Sequence, residues 1–259
     1  MKTRETVVID LSIFEALLFD LDGVITRTAR LHASAWKRLF DDYLHAHATR
    51  TGGPFVAFDI VTDYRAHVDG KPRHAGVRDF LASRDIRVPD GTPRDDARED
   101  TVHGLGKRKN RYFLALLERE GVAVYQPAVA LVREARSLGV KTAVVSSSRN
   151  TASILRVARL TDLFQVRVDG VEAVRLGLPG KPDPATFLEA ARRLGVPPAA
   201  AVVFEDATAG VEAGRRGGFG LVIGVGDAGQ ADDLRRHGAH VVVADLGAVS
   251  LAPRARAAS

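Results

Sequence analysis

The chain of 259 residues is 46% hydrophobic and 27% charged, which is the composition of an ordinary globular protein with one large core and room for a smaller inserted domain. It contains no cysteine, which excludes disulfides and thiolate chemistry, and no apolar run near the roughly 20 residues that cross a bilayer, so we expect a cytoplasmic protein. The net charge of +5 suggests nucleic acid as a possible binding partner. The basic residues are scattered, however, and aromatic residues make up only 6%, so we expect neither a nucleic-acid nor a membrane partner.

Short apolar runs alternate with helical patterns along most of the chain. The runs predict strands over residues 17–19, 143–145, 166–168, 202–204, 221–223 and 241–243, and the patterns predict helices over 128–138, 151–159, 185–194 and 210–216. This alternation predicts an α/β fold with a Rossmann-like parallel sheet core flanked by helices. Residues 29–126 show helices and polar loops instead, which predicts an inserted helical cap domain. The expected domains are therefore 1–28 with 127–259 as the core, and 29–126 as the cap.

Two carboxylates stand at the end of the first of these core strands. Asp20 and Asp22 follow an apolar run that ends at Phe19, and Gly23 breaks the run. Residues i and i+2 of a strand point to one face, so both carboxylates are expected in one cavity at the carboxyl end of the sheet, where ligands bind. Crowded carboxylates favour Mg²⁺. The alternative is an acidic turn that caps the next helix, and a carboxylate pair taken alone favours that alternative.

Three further motifs each follow or flank a later strand. A hydroxyl-rich loop, Ser146–Asn150, precedes a helix and suits phosphate binding, although the motif taken alone favours ordinary helix capping. Lys181 lies on a proline-rich loop, where it is either a phosphate ligand or a solvated lysine. Glu205 and Asp206 end another apolar run and repeat the first design. The four motifs in this order are far more specific than any one of them.

The four motifs read FDLDGVIT, VVSSS, GKPDP and VVFEDA, and with them the chain resembles the haloacid dehalogenase superfamily of phosphotransferases over nearly its whole length. It is most similar to the β-phosphoglucomutase-like subfamily. The segments that carry this closer resemblance are TARLHASAWK at 28–37, VDGKPR at 68–73 and KRKN at 107–110.

The resemblance implies a role for each motif. Asp20 is the expected nucleophile and Asp22 the general acid and base. The expected cofactor is Mg²⁺, held by Asp20, Asp22 through its backbone carbonyl, Glu205 and Asp206. Residues expected to bind phosphate or substrate are Thr28, His32, Trp36, Gly70, Lys71, Arg73, Lys109, Ser146, Ser147, Ser148, Arg149, Asn150 and Lys181. Among these, Arg73 is expected to grip the phosphate that is not transferred, because a guanidinium holds a phosphate bidentately.

The reaction implied is that of a β-phosphoglucomutase, which interconverts β-D-glucose 1-phosphate and glucose 6-phosphate through a phosphorylated aspartate. The expected partners are a sugar phosphate and glucose 1,6-bisphosphate as primer, and the expected state is a monomer. A sugar-phosphate phosphatase is the alternative, because the same four motifs serve both reactions. A distant alternative, a non-catalytic protein that binds nucleic acid or phosphate, gives no reason for all the catalytic positions to be filled.

Overall fold

A computed structural model describes residues 6–68 and 73–253, and it divides the chain into two compact units. Unit 1 comprises Met1–Arg27 with Val122–Ser259, and unit 2 comprises Thr28–Gly121. The sequence predicts these boundaries at 28/29 and 126/127. Residues 122–126 belong to unit 1 instead, because the Arg27 amide donates to the Ala123 carbonyl at 2.8 Å and the Tyr125 amide donates to the Ile25 carbonyl at 2.9 Å.

The helices and strands follow one another in an order typical of an interrupted α/β protein. In chain order they are β1 (Val7–Asp10), β2 (Ala16–Phe19), α1 (Ala29–Thr51), α2 (Arg73–Ser83), α3 (Val102–Glu120), α4 (Gln126–Ser137), β3 (Lys141–Val145), α5 (Thr151–Val157), β4 (Val166–Val168), α6 (Gly170–Leu176), α7 (Ala185–Leu194), β5 (Ala201–Glu205), α8 (Thr208–Arg216), β6 (Leu221–Val225), α9 (Ala228–Arg236), β7 (Val241–Val243) and β8 (Val249–Ala252). Short 3-10 turns and a π-helical turn, Tyr64–Val68, lie between them.

Unit 1 is built on a six-stranded parallel sheet in the order β4-β3-β2-β5-β6-β7. Its six strands are the six that we predicted, each matched or extended by one or two residues, and the predicted α/β fold class is confirmed. The central strands are continuous apolar runs because helices cover both faces of the sheet. Strands β3, β2 and β5 are parallel neighbours, so the residues that follow them lie close together at the carboxyl end of the sheet.

Three kinds of element in unit 1 escaped prediction. The strands β1 and β8 form a separate two-stranded parallel sheet, and each is only four residues long. Helix α6 is short, and α9 is strongly polar, so neither shows a clear apolar stripe. Both begin at an aspartate N-cap, Asp169 and Asp227, which is the local signal that fixes their start.

Unit 2 is helical, as predicted, and has its own aromatic core. Phe40, Phe58 and Phe80 are buried with their ring centroids 4.1 to 5.1 Å apart, and Trp36 stacks on Phe40 at 5.2 Å. Aromatic pairs at such distances add to the stability that burial provides. In the described parts of both units, no helix combines the length and apolar character that a membrane span requires.

Candidate active site

A buried lysine bridges two carboxylates at the carboxyl edge of the sheet in unit 1. The Lys181 ammonium lies 2.5 Å from Asp20 Oδ1 and 2.5 Å from Glu205 Oε1, and it donates to the Val145 carbonyl at 3.3 Å. The side chains of Lys181, Asp20 and Glu205 are only 8%, 10% and 1% exposed. The sheet fixes this arrangement, since the amide of Asp20 continues the ladder by donating to the Phe204 carbonyl at 2.9 Å. Lys181 is therefore a buried charge partner of Asp20, not a solvated loop lysine.

The acidic residues of this site carry more negative charge than Lys181 neutralises. Burial raises the pKa of Asp20 well above its ordinary value, the Lys181 ammonium opposes that rise, and Glu205, Asp206 and Asp22 add to it. Burial, and then the charge of Glu205, raise the pKa of Asp206 to about 8. Burial alone would lower the pKa of Lys181, but Asp20 and Glu205 raise it above its ordinary value. The lysine therefore stays charged, and the carboxylates favour a further cation.

Two glycines bring the carboxylates close to the backbone. Gly23 has a φ of +94°, and a Cβ at this position would overlap the Asp206 carboxylate. A Cβ on Gly210 would overlap the Glu205 carboxylate in the same way. Only glycine fits at these two contacts, so the backbone turn after β2 and the start of α8 determine where both acids lie.

The oxygen atoms of this site fit a magnesium ion that is held by few carboxylates. Both oxygens of Glu205 already have donors, since Oε1 contacts Lys181 and Oε2 accepts from the Ala207 amide at 2.9 Å. Within residues 6–68 and 73–253, no three His, Asp or Glu side chains are arranged to hold a metal ion. Mg²⁺ usually takes only one or two carboxylates, together with waters and substrate phosphate. Asp20, Asp206 and the Asp22 carbonyl supply such a donor set.

The serine loop, Ser146–Asn150, lies beside the carboxylates. Ser146 Oγ is 3.4 Å from Asp22 Oδ2 and accepts from the Ser148 amide at 3.0 Å. Ser148 Oγ in turn accepts from the Asn150 amide at 3.1 Å, and the Ser148 carbonyl accepts from the Gly170 amide at 3.1 Å. Ser146 and Asn150 are buried, whereas Ser147 and Arg149 are exposed. The loop is thus held from two sides with Ser146 facing the acidic pair.

Unit 2 holds a buried lysine of its own. Lys109 is 3% exposed, its ammonium lies 2.8 Å from His32 Nδ1, and it sits 5.1 Å from the ring centroids of both Trp36 and Phe113. The His32 ring stacks on Phe113 at 4.2 Å. Burial, followed by the charges of Lys109 and Arg73, lowers the pKa of His32 well below its ordinary value. Because the ammonium donates to Nδ1, His32 is neutral and carries its proton on Nε2.

The remaining predicted residues of unit 2 have separate positions. Arg73 starts α2 and donates to Asn110 Oδ1 at 2.8 Å. Thr28 is buried, and its carbonyl accepts from the His32 amide at 3.0 Å. Gly70 and Lys71 lie outside the described residues.

Sequence reasoning grouped all four residues of the KRKN segment, but the structure separates them. Lys107 donates to the Pro93 carbonyl at 2.7 Å, and Arg108 donates to the Ala97 carbonyl at 2.7 Å, so both fasten the loop that precedes α3. Only Lys109 and Asn110 join the cluster with His32 and Arg73. Phe113, one turn beyond Lys109, completes the cluster and was missed, because an apolar residue on a helix reads as ordinary core.

Comparison with known proteins places the chain in a family. The family model described as haloacid dehalogenase-like hydrolase matches residues 14–218, a range that includes all four motifs. The chain belongs to this family. The resemblance to its β-phosphoglucomutase-like subfamily is confirmed by relatives and solved structures.

Three members of the haloacid dehalogenase-like family are particularly informative. The chain is 51% identical over 234 residues to a β-phosphoglucomutase of Mycobacterium bovis, with 89% of each chain covered. It is 31% identical to a phosphorylated carbohydrates phosphatase of Thermotoga maritima, which covers 82% of this chain and 85% of that one. The crystal structure of a β-phosphoglucomutase from Clostridium difficile aligns with a TM-score of 0.68 at 25% identity, covering 90% of this chain and 92% of that one. The chain is therefore a sugar-phosphate enzyme of the haloacid dehalogenase type, a phosphotransferase or a hydrolase.

Proposed function

We propose that the protein is a Mg²⁺-dependent β-phosphoglucomutase that interconverts β-D-glucose 1-phosphate and D-glucose 6-phosphate. The observation that carries phosphoryl transfer is the buried ammonium of Lys181, which lies 2.5 Å from both Asp20 and Glu205. The choice of a mutase is supported by the 51% identity to the mycobacterial β-phosphoglucomutase across 89% of the chain.

The proposed reaction starts on Asp20. One carboxylate oxygen of Asp20 attacks the phosphorus of β-glucose 1,6-bisphosphate, an oxygen–phosphorus bond forms, and the bond from phosphorus to the sugar oxygen breaks. Asp22 donates a proton to the leaving oxygen and becomes a carboxylate. In the second half the hydroxyl of a bound glucose monophosphate gives its proton back to Asp22 and attacks the phosphorus, which frees Asp20.

Together, these two phosphoryl transfers move a phosphate between C1 and C6 of glucose. The bisphosphate formed in one transfer must reorient so that its other phosphate faces Asp20. The sugar then gains a phosphoryl group at C6 and loses the one at C1, or the reverse. The bisphosphate is regenerated in each cycle, so we propose that it acts as the primer.

Ionised Asp20 is required for attack, and the surrounding charges govern its ionisation. The Lys181 ammonium lowers the pKa of Asp20 against the effect of burial. When Mg²⁺ is bound, it supplies positive charge that offsets the repulsion between the nucleophile and the phosphoryl oxygens. We propose that Asp20, Asp206 and the Asp22 carbonyl hold it, and that Glu205, with both oxygens engaged by protein donors, mainly positions Lys181.

We propose substrate-binding residues for each unit by itself. In unit 1, Ser146 and Lys181 donate to the transferring phosphoryl group, and the other residues of the serine loop support them. In unit 2, Arg73 binds the second phosphate, with Asn110 holding one end of its guanidinium. Lys109 and the neutral His32, whose Nε2 is a donor, bind sugar or phosphate oxygens.

A sugar-phosphate phosphatase is the second candidate, and the relative from Thermotoga maritima supports it. The two functions share the first step and differ in whether a sugar hydroxyl or water accepts the phosphoryl group from Asp20. Purified protein with Mg²⁺, β-glucose 1-phosphate and a trace of β-glucose 1,6-bisphosphate distinguishes them when glucose 6-phosphate and free phosphate are followed together. Glucose 6-phosphate with little free phosphate, lost in Asp20→Asn, supports the mutase, whereas free phosphate as the main product contradicts it.

A further inference from the structure

A cleft on unit 1, separate from the candidate active site, is lined by arginines. Its volume is about 480 Å³, which is within the usual range for small-molecule sites. Arg133, Arg136 and Arg159 line it together with one acidic residue, Asp162, and the side chains of Leu160 and Leu163, which are buried. Three guanidinium groups around a single carboxylate make the cleft basic.

The cleft is at the opposite end of the sheet from the candidate active site. Helix α4 ends at Ser137, just before β3 begins at Lys141, and α5 ends at Val157, before β4 begins at Val166. The cleft residues between and beside these helix ends therefore lie at the amino ends of β3 and β4. Asp20 and Ser146 follow the carboxyl ends of their strands, so the two sites are separate.

Two of the three arginine side chains have no acceptor among the described residues. Arg136 donates to the Asp162 carbonyl and so joins the two sides of the cleft. Within the described parts of the chain, the guanidinium groups of Arg133 and Arg159 make no hydrogen bond or ion pair. An arginine in the last turn of a helix also interacts favourably with the negative helix end, which explains Arg136 without any ligand. The interaction with the helix end does not explain why two more arginines line the same cleft.

Arg159 occupies a backbone position that disfavours arginine. Its φ is +58°, in the left-handed region, where a helix commonly ends on glycine. The surrounding hydrogen bonds fix this conformation, since the Arg159 amide donates to the Arg156 carbonyl at 3.1 Å and the Leu160 amide donates to the Leu155 carbonyl at 2.8 Å. Glycine would meet the conformational requirement at lower cost, so the Arg159 side chain is placed at the cleft at a cost in backbone strain.

We propose that this cleft binds a small phosphorylated metabolite that carries hydroxyl groups. Arg133 and Arg159 supply two forks of N–H donors for a phosphate dianion, which guanidinium groups recognise in bidentate fashion. Asp162, whose carboxylate is an acceptor, also lines the cleft and suits the hydroxyl groups of the ligand. The site is independent of the proposed mutase chemistry, because it shares no residue with the candidate active site.

Amide NMR spectra of the intact Asp20→Asn protein test the proposal, with glycerol 3-phosphate and inorganic phosphate as probes. We expect saturable shifts in residues 133–137 and 159–163, distinct from any shifts in the serine loop. The affinity obtained from the first set should fall at least tenfold in Arg133→Gln with Arg159→Gln. The control Arg235→Gln, which removes one exposed arginine of α9 in the same unit, should leave it unchanged.

Arg159→Gly separates a ligand role from a structural one. This substitution relieves the left-handed backbone, so the thermal midpoint should stay or rise while the affinity for glycerol 3-phosphate falls. Absence of saturable shifts near the cleft, or an equal affinity in the double variant and in Arg235→Gln, would overturn the proposal. Tighter binding of an oligothymidylate at the same residues would overturn the assignment to a small molecule.

Discussion

Replacement of Lys181 by methionine removes the positive charge from the buried charged cluster of unit 1. The side chains of Lys181, Asp20 and Glu205 are all at most 10% exposed, so the two buried carboxylates would lose this positively charged partner. Breaking a buried ion pair in this way costs about 3–5 kcal/mol, although the pair as a whole contributes much less than its attraction suggests. At about 2–4 °C per kcal/mol, the thermal midpoint of unit 1 should fall by roughly 6–20 °C.

Catalysis should fall for a separate reason. Without the ammonium, burial and the neighbouring acids raise the pKa of Asp20 further, so a smaller fraction of the nucleophile is ionised. Loss of one positioned donor to a transferring group typically lowers kcat by about 10²–10³-fold. Lys141→Met is the matched control, because Lys141 lies in the same unit and its ammonium makes one long hydrogen bond within the described residues, 3.5 Å from the Gly195 carbonyl.

Calorimetry and steady-state assays at low temperature, where the variant is folded, measure the two effects independently. Glu205→Gln in the Lys181→Met background should restore part of the lost stability, since it removes one of the unpaired carboxylates. A midpoint for Lys181→Met that equals that of Lys141→Met, with no recovery in the double variant, would refute the reasoning about the buried charge.

Three other substitutions test separate parts of the account. Gly23→Ala, whose Cβ would overlap the Asp206 carboxylate, should lower kcat by about 10²-fold and raise the Mg²⁺ concentration for half-maximal activity, and an unchanged Mg²⁺ titration would contradict this. The lowered pKa of His32, which burial and the charges of Lys109 and Arg73 cause, means that the unfolded chain binds more protons below about pH 6.5, so stability should fall by up to about 1.4 kcal/mol per pH unit as the pH drops. Urea unfolding at several pH values should show this slope reduced in His32→Gln, and an identical slope would argue that His32 is not buried as a neutral ring. Arg73→Lys removes the guanidinium fork and should raise the KM for the bisphosphate about tenfold with kcat little changed, whereas equal KM values would exclude Arg73 from phosphate binding.

The fold could be predicted from the sequence because buried parallel strands leave an unambiguous pattern. Continuous apolar runs such as that ending at Phe19 mark the central strands, and the following polar residues mark the edge where ligands bind. The strands β1 and β8 are only partly buried and lack the continuous burial of the central strands, and their pairing joins the two ends of unit 1. Such long-range pairing depends on tertiary contacts that local sequence does not encode.

The site was predicted in part for the same physical reason. The residue types proposed for phosphoryl transfer can be recognised in the sequence at Asp20, Asp22 and Lys181, but the hydrogen-bond partners of these side chains cannot. That Glu205 has both oxygens occupied follows from the turn into α8, and that His32 is neutral follows from Lys109 on a helix far away in sequence. Hydrogen-bond partners and burial decide such properties, and they appear only when the chain is folded.

The fate of the phosphoryl group on Asp20 tests the central claim most directly. The protein is first phosphorylated by a stoichiometric amount of labelled β-glucose 1,6-bisphosphate in the presence of Mg²⁺ and then mixed rapidly with β-glucose 1-phosphate or with buffer alone. The account predicts that the label passes to the sugar much faster than it appears as free phosphate, and that Asp20→Asn takes up no label. Release to water at the same rate with and without the sugar would contradict it.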